Sequence, residues 1–208
     1  MKNMSKITLI IAAVFTLTAF SCNSSDTKSK IETKKSESGN FNPYFPLKEN
    51  NKWVYINEAP REETITFTVE IKDVKKVESG IQMKVSSFPY LTQDNEERTL
   101  LVKNNGEIEI NNYMGTSGVI IPSPDNFKTG SKWSFGIFNA SVNSEKELAV
   151  TEDGTYNDCI YVMMTDGFTF SYEMWFVKDI GIVKWGANRT NPPQLTPIYY
   201  VLKEHKIN

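Results

Sequence analysis

Histidine and cysteine are scarce in this sequence. Its 208 residues include one histidine, His205, and two cysteines, Cys22 and Cys159. A single histidine excludes metal sites built on histidine clusters and argues against a nucleophile that a histidine activates. The sequence also contains no glycine-rich phosphate-binding loop and no calcium-binding loop. We therefore expect no metal site, no cofactor and no catalytic residue, and the protein is interpreted as a non-enzyme, with a hydrolase as the least favoured alternative.

An excess of charge of one sign is also missing. The chain has 23 lysines and arginines against 25 aspartates and glutamates, which gives a formal net charge of -2. Nucleic-acid binding depends on clustered lysines and arginines that replace the counterions of the phosphates. The composition therefore argues against a nucleic-acid partner.

The apolar run near the N-terminus is too short to cross a membrane. Residues 7–20 carry no charge and follow Lys2 and Lys6. As a helix this run would reach about 21 Å, whereas the hydrocarbon core of a bilayer is about 30 Å thick. A short apolar run after a basic start is typical of an export signal. We predict that residues 1–21 are a cleaved signal peptide.

The end of this signal resembles the lipobox of bacterial lipoproteins. The segment LTAFSC at 17–22 places small residues before a cysteine, although Phe20 is bulkier than the residue usual there. The resemblance implies that Cys22 is acylated and anchors the protein in a membrane. Asn23, in place of aspartate, implies the outer membrane, with the body facing the periplasm or the cell surface. An ordinary secretory signal is the alternative.

The next segment predicts a linker. Residues 23–42 (NSSDTKSKIETKKSESGNFN) are mostly polar, so burial cannot offset the entropy lost on ordering them. We expect a lipidated Cys22 with a flexible linker over residues 22–42, followed by one domain at 43–208. Acylation of Cys22 would leave Cys159 without a disulfide partner, and we expect it to be a buried apolar residue.

Beyond Pro43 the apolar residues repeat every second position, which is typical of strands with one buried face. The clearest runs are 65–71, 81–85, 133–137 and 168–176. Turn signals separate them, and Asp166-Gly167 is the strongest hairpin signal. We predict an all-β domain: an antiparallel meander of about 10–12 strands that forms a curved sheet or a (half-)barrel.

Aromatic residues in the last of these runs are candidates for a ligand face. Phe170 and Tyr172 fall on one side of the strand, and Trp175 falls on the other, mostly polar side. Trp175 is either a residue at the rim of the sheet or one that stacks on a ligand. The runs 160–164 and 198–202 are apolar on both sides, which indicates central strands or a covered face.

A short pattern occurs twice in the chain. The segment KENNKWVY at 48–55 aligns with KTGSKWSF at 128–135. In each copy a tryptophan and a second aromatic residue share one face of a strand that leaves a turn. The spacing favours rings that anchor the strand in the core, and paired rings that stack on a carbohydrate are the alternative.

Three blocks resemble a group of uncharacterised bacterial lipoproteins and exported proteins. They are FPL followed by NNKWVY at 45–55, VTEDGTYNDC at 150–159 and WFVKDIGIVK at 175–184. The resemblance implies an envelope protein and brings no assigned activity. A weaker similarity is to open-barrel periplasmic lipoprotein carriers, whose helical lid has no counterpart in this sequence.

Two functions remain open besides the hydrolase. An accessory subunit of an envelope complex, which binds an unknown envelope protein, predicts a filled interior with an exposed apolar patch or an unpaired strand edge. A carrier or receptor for a small apolar or glycan ligand predicts a pocket of a few hundred Å³ on a concave β face (about 300 or more). We expect the first function, an interaction module.

Overall fold

The computed structural model describes residues 42–58, 63–88, 96–113, 116–189 and 198–208. Within them, twelve strands form one antiparallel sheet. The strands are β1 (Lys52–Asn57), β2 (Thr66–Val77), β3 (Gly80–Val85), β4 (Arg98–Lys103), β5 (Ile108–Tyr113), β6 (Thr116–Ile121), β7 (Lys132–Phe135), β8 (Phe138–Val150), β9 (Thr155–Thr165), β10 (Phe170–Val177), β11 (Gly181–Arg189) and β12 (Ile198–Lys206). The predicted all-β meander is confirmed.

The strand order joins the two ends of the described chain at the middle of the sheet. The order is β6-β5-β4-β3-β2-β1-β12-β11-β10-β9-β8-β7, so consecutive strands pair with one another, except β6 with β7, and β1 also pairs with β12. Its edge strands, β6 and β7, follow one another in sequence and are connected through a short 3-10 helix (Pro124–Asn126).

The sheet curves until its edge strands meet. Gly118 on β6 lies against the Phe135 ring on β7, because a Cβ added to the glycine would be 3.4 Å from that ring. Gly136, just after β7, lies closer still to the side chain of Thr116, at 2.9 Å from an added Cβ. Among the described residues no backbone ladder joins β6 to β7. The result is a nearly closed, barrel-like sheet with a seam between these two strands.

Large apolar side chains fill the interior. Trp185 and Tyr200 stack in parallel with ring centroids 4.4 Å apart, and the Phe67 ring meets Trp185 edge-on at 5.5 Å. The fully buried residues include nine aromatic side chains: Phe45, Trp53, Tyr55, Phe67, Phe88, Phe127, Phe135, Phe176 and Tyr200. These packed rings form the core of the described sheet.

Both copies of the repeated pattern contribute rings to this core. Trp53 is buried and its Nε1 donates to the Ile180 carbonyl oxygen at 2.6 Å. Tyr55 is buried and its hydroxyl donates to the Ile182 carbonyl oxygen at 2.8 Å. In the second copy Phe135 is fully buried, and its companion tryptophan packs against the core from a partly buried position. The pattern therefore anchors strands.

The described body begins one residue before the predicted domain. Asn42 is fully buried, and its Nδ2 donates to the carbonyl oxygens of Gly106 at 2.9 Å and Pro122 at 3.0 Å. The predictions for the signal peptide at 1–21, the acylated Cys22 and the linker up to residue 41 lie outside the described residues. Among the residues that are described, no helix is long and apolar enough to cross a membrane.

Three predicted strand positions are wrong. Ile65 precedes β2 and is exposed, Ile137 lies in the turn between β7 and β8, and Phe168 lies in the turn between β9 and β10. In each case an apolar residue at the right spacing continued the pattern beyond the end of a strand. The last two are the most exposed of the large apolar side chains among the described residues.

Candidate functional site

The structure separates the three residues predicted as a ligand face. On β10, Tyr172, Met174 and Phe176 point inward and are buried, and Tyr172 is only 6% exposed. Phe170 begins the strand on the same side and is 39% exposed. Trp175 points outward and is partly exposed. Two different surfaces therefore contain these residues.

The first surface lies on two neighbouring hairpin turns. Asn139 at the start of β8 pairs with Thr165 at the end of β9. The β7–β8 turn and the β9–β10 turn therefore lie side by side at the same end of these strands. Ile137, in the first turn, is 74% exposed, and Phe168, in the second, is 80% exposed. Exposed apolar side chains that form a contiguous patch often mark an interaction surface.

Rings connect these turns to the core. The Phe170 ring stacks on Tyr172 with centroids 6.4 Å apart, and Tyr172 meets Phe138 edge-on at 5.5 Å. Phe138 is itself buried. We call the set of Ile137, Phe138, Phe168, Phe170 and Tyr172 the hairpin-tip surface. Of its exposed members, Phe170 rests on the buried ring of Tyr172.

Hydrogen bonds hold the second turn in shape. One carboxylate oxygen of Asp166 accepts the backbone N–H groups of Phe168 at 2.9 Å, Thr169 at 2.8 Å and Phe170 at 3.0 Å. These bonds, led by the one from Phe170, hold the pKa of Asp166 below its ordinary value. Gly167 has a φ of 81°, which a glycine adopts without strain. The exposed Phe168 is thus part of an ordered turn.

One edge of β7 pairs with no strand in the described part of the chain and lies beside the hairpin-tip surface. β7 pairs with β8 on one side, and on the other a groove of ≈ 420 Å³ lies between it and residues on and just after β6. Its walls include Val119 and Pro122 on one side and Lys132 and Ser134 on the other. The indole nitrogen of Trp133, which also lines the groove, is buried and finds no hydrogen-bond partner among the described residues.

The second surface is a row of side chains across the outside of the sheet. The register places Tyr161, Trp175, Lys184, Val201 and Ile56 directly opposite one another on five successive strands, from β9 to β1. The Tyr161 and Trp175 rings are 4.9 Å apart and inclined by 33°. In the sequence, this row was indicated by the runs 160–164 and 198–202, which are apolar on both sides of the strand.

A parallel row adds polar groups. Glu173, Gly186 and Tyr199 face one another on β10, β11 and β12, and the Tyr199 hydroxyl donates to Glu173 Oε2 at 3.0 Å. Lys184 Nζ lies 4.8 Å from the centre of the Tyr199 ring and 5.6 Å from that of Trp175. We call the set of Tyr161, Glu173, Trp175, Lys184 and Tyr199 the outer shelf.

The shelf is partly shielded from water. Burial, followed by the charge of Glu173, raises the pKa of Tyr199 to about 12. Burial, followed by the charge of Glu173, also raises the pKa of Tyr161. Lys184 forms an ion pair with Glu58 at 2.7 Å. Sequence analysis identified Trp175 alone of this set, because the others come together only through the register of four strands.

His205 contacts an acidic side chain, and Cys159 lies in the core. His205 Nδ1 lies 3.0 Å from Asp153 Oδ2, and Asp153 also accepts the Tyr156 hydroxyl. Cys159 is buried, as predicted; burial raises its pKa to about 11, and its thiol donates to the Tyr156 carbonyl oxygen. A protonated, buried thiol is a poor nucleophile. In the described part of the chain no group of three or more His, Cys, Asp or Glu residues could hold a metal ion.

Comparison with known proteins identifies the fold. No protein-family model matches the sequence, and no curated protein shows significant similarity to it. A candidate lipoprotein of Parabacteroides distasonis superposes with a TM-score of 0.51 at 16% identity, over 80% of this chain and 99% of the other. A candidate exported protein of Bacteroides fragilis with a YmcC-like fold gives 0.53 at 14% identity, over 79% and 99%. At these identities the likeness concerns the fold alone.

Proposed function

We propose that the protein is a lipid-anchored component of a bacterial cell envelope and works as an interaction module. Cys22 carries the lipid, and the residues after it link the anchor to the body that begins at Asn42. The hairpin-tip surface docks onto another envelope protein, so that the chain serves as an accessory subunit of an envelope complex. The protein catalyses no reaction.

The exposure of Phe168 and Ile137 over a filled interior carries this proposal. The two side chains are 80% and 74% exposed on adjacent turns. Burying a side chain of this kind stabilises a contact by about 1.5–3 kcal/mol. Asp166 already holds the second turn in one shape, so little ordering entropy opposes docking. A protein partner with an apolar pocket fits such a surface.

The proposed location rests on the N-terminal sequence. Residues 1–21 have the features of an export signal, and the segment ending at Cys22 resembles a lipobox. Asn23 favours the outer membrane by the same resemblance. The two structural neighbours, one a candidate lipoprotein and one a candidate exported protein, are compatible with an envelope protein.

Transport of a ligand on the concave face is less well supported. Tyr172, the predicted ligand residue on that face, packs against Phe138 and belongs to the core. A ligand there would have to displace packed rings, which costs about 3–5 kcal/mol for each one removed from its contacts. The surface at the turns needs no such rearrangement.

Cross-linking in native membranes followed by affinity purification tests the docking. We expect one envelope protein to be captured by the wild type and lost from Phe168→Asp and Ile137→Asp variants. Leu148→Asp is the matched control, because Leu148 is 56% exposed but lies on β8, outside the hairpin-tip surface. Capture of the same proteins by all four forms, or of none by the wild type, would contradict the proposal.

Intact mass and membrane fractionation test the anchor. The wild type should carry the mass of a lipid on Cys22 and sediment with outer membranes. The Cys22→Ser variant should lose both properties. An unmodified wild-type mass, or a Cys22→Ser variant that remains equally bound to membranes, would exclude lipid anchoring at this residue.

A further inference from the structure

We propose that the outer shelf is a binding site for an uncharged carbohydrate chain. The site is separate from the hairpin-tip surface, since its residues lie on the four strands β9, β10, β11 and β12 and point to the outside of the sheet. It therefore adds a second binding activity to the proposed docking function and does not depend on it.

Two rings provide the apolar part of the site. Tyr161 and Trp175 lie side by side, with centroids 4.9 Å apart and an inclination of 33°, and both are partly exposed. Neither ring is among the fully buried residues, although Trp175 also packs against the core. An aromatic face attracts polarised C–H groups, such as those on the apolar face of a pyranose ring.

The polar groups beside the rings retain hydrogen-bonding capacity. A carboxylate offers about four lone-pair positions, and Glu173 uses one of them for the hydroxyl of Tyr199. An ammonium offers three donors, and Lys184 uses one for Glu58. Free donors and acceptors thus lie next to partly exposed rings. This combination matches a sugar, which presents hydroxyls at the edge of an apolar face.

The backbone fixes where the Tyr199 ring lies, and this ring meets Trp175 edge-on at 5.9 Å. Gly186, opposite Tyr199, leaves room for the tyrosine ring to lie on the sheet, because a Cβ there would collide with the ring. Every member of the shelf is on a strand, and sites on strands keep their geometry better than sites on loops. Lys184, the one long side chain, lies over two rings and can pivot to meet a ligand.

Charge decides between ligand classes. Lys184 is paired with Glu58, and Glu173 adds a second carboxylate next to Tyr199. The shelf therefore provides no surplus positive charge for an anionic chain. A purely apolar ligand would leave the carboxylate and the ammonium partly desolvated without new partners, which is unfavourable. A neutral saccharide satisfies both groups and the rings together.

Titration of the full-length protein in detergent with soluble hexasaccharides tests the site. The probes are maltohexaose, cellohexaose, mannohexaose and chitohexaose, and binding is followed by calorimetry and by tryptophan fluorescence. We expect at least one probe to bind saturably at concentrations up to about 10 mM and to change the emission of Trp175. Trp175→Ala should weaken that binding about tenfold or more, because the stacking surface is lost.

Two further variants keep the test decisive. Glu173→Gln preserves the shape of the shelf and should weaken binding severalfold, which covers the case in which Trp175→Ala does not fold. Phe168→Ala removes a ring from the hairpin-tip surface and should leave saccharide binding unchanged, so that failure of this proposal is distinct from failure of the docking function. The proposal is overturned if no probe binds. It is also overturned if every one of these two variants that folds, Trp175→Ala and Glu173→Gln, binds as the wild type does.

Discussion

The carboxylate of Asp166 accepts the backbone N–H of Phe168 at 2.9 Å, and the phenyl ring of Phe168 is 80% exposed. A polar side chain therefore fixes the backbone from which an apolar one projects. The same oxygen accepts two more amides, at 2.8 and 3.0 Å, so the turn has a single well-defined shape. Such a turn presents its ring to a partner with little loss of entropy on binding.

Replacing Asp166 by alanine should loosen this turn. The amides of Phe168, Thr169 and Phe170 lose their common acceptor, so we expect them to exchange hydrogen faster at a fixed pH. Capture of a partner should weaken even though the Phe168 ring is still present. Asp125→Ala, in the 3-10 helix between β6 and β7, is the control and should leave these three amides unchanged. Equal exchange in all three proteins would show that the carboxylate does not order the turn.

The same carboxylate predicts a dependence on pH. The pKa of Asp166 is lower in the folded protein than its ordinary value, because it accepts N–H groups, led by Phe170. Its stabilising effect is therefore present above the unfolded-state pKa and is lost as the pH falls through the folded-state pKa. Urea unfolding at a series of pH values below about 4 should show a smaller decline in stability for Asp166→Ala than for the wild type. Parallel declines would contradict this assignment.

Cys159 should be inert to thiol reagents while the protein is folded. Burial raises its pKa to about 11, and reaction requires both access and the thiolate. In a Cys22→Ser background, where Cys159 is the remaining thiol, we expect negligible labelling at pH 8 and complete labelling in denaturant. Rapid labelling of the folded protein would mean that the β8–β9 region opens readily.

The raised pKa of Cys159 also determines the direction in which stability changes with pH. The folded state favours the protonated thiol, so this contribution to stability is complete below the unfolded-state pKa near 9. It is lost as the pH rises through the folded-state value of about 11. Replacing Cys159 by alanine in the same background should flatten the fall in stability over this range, as measured by denaturant unfolding.

Much of the fold could be predicted because its contacts are local. Neighbouring strands of the meander are consecutive in sequence, and the apolar period of two identifies which side of each strand is buried, as on β10 for Tyr172, Met174 and Phe176. The limits of the strands were less predictable. Phe168 continues the period, but Asp166 bonds to the backbone beyond it and turns the chain before the strand starts.

The outer shelf could not be predicted because it depends on register. Tyr161, Trp175 and Tyr199 are far apart in the chain and meet only when β9 to β12 align as observed. Irregular positions, such as the shift between Trp175 and Phe176, alter that alignment by one residue. A shift of one residue moves a side chain to the opposite face, so the period alone cannot identify such a cluster.

Removing the Tyr55 hydroxyl should measurably destabilise the core. It donates to the Ile182 carbonyl oxygen at 2.8 Å, and both residues are buried. Tyr55→Phe leaves that oxygen without its donor, which we expect to cost about 1–2 kcal/mol in the free energy of unfolding. Tyr156→Phe is the comparison, since its hydroxyl bonds Asp153 at a partly exposed position and should matter less. Equal losses would mean that the interior bond contributes nothing special.

Gly186→Ala tests whether the outer shelf depends on the absence of a side chain. An added Cβ would lie 2.8 Å from the Ile198 carbonyl oxygen and would strike the Tyr199 ring. The ring must therefore lift from the sheet, and such overpacking typically costs about 1–3 kcal/mol. We expect lower stability in denaturant unfolding, together with a Tyr199 hydroxyl that titrates closer to pH 10, because it moves away from its buried position and from Glu173.

Gly118→Ala is the matched control for this substitution. Its added Cβ would lie 3.4 Å from the Phe135 ring, which is a tolerable distance, and the glycine is also on a strand of the same sheet. The control should lose much less stability and leave the titration of Tyr199 unchanged. If the two variants behave alike, the position of the Tyr199 ring does not depend on Gly186. The shelf would then be an adaptable surface, and its rigid presentation of rings could not contribute to saccharide binding.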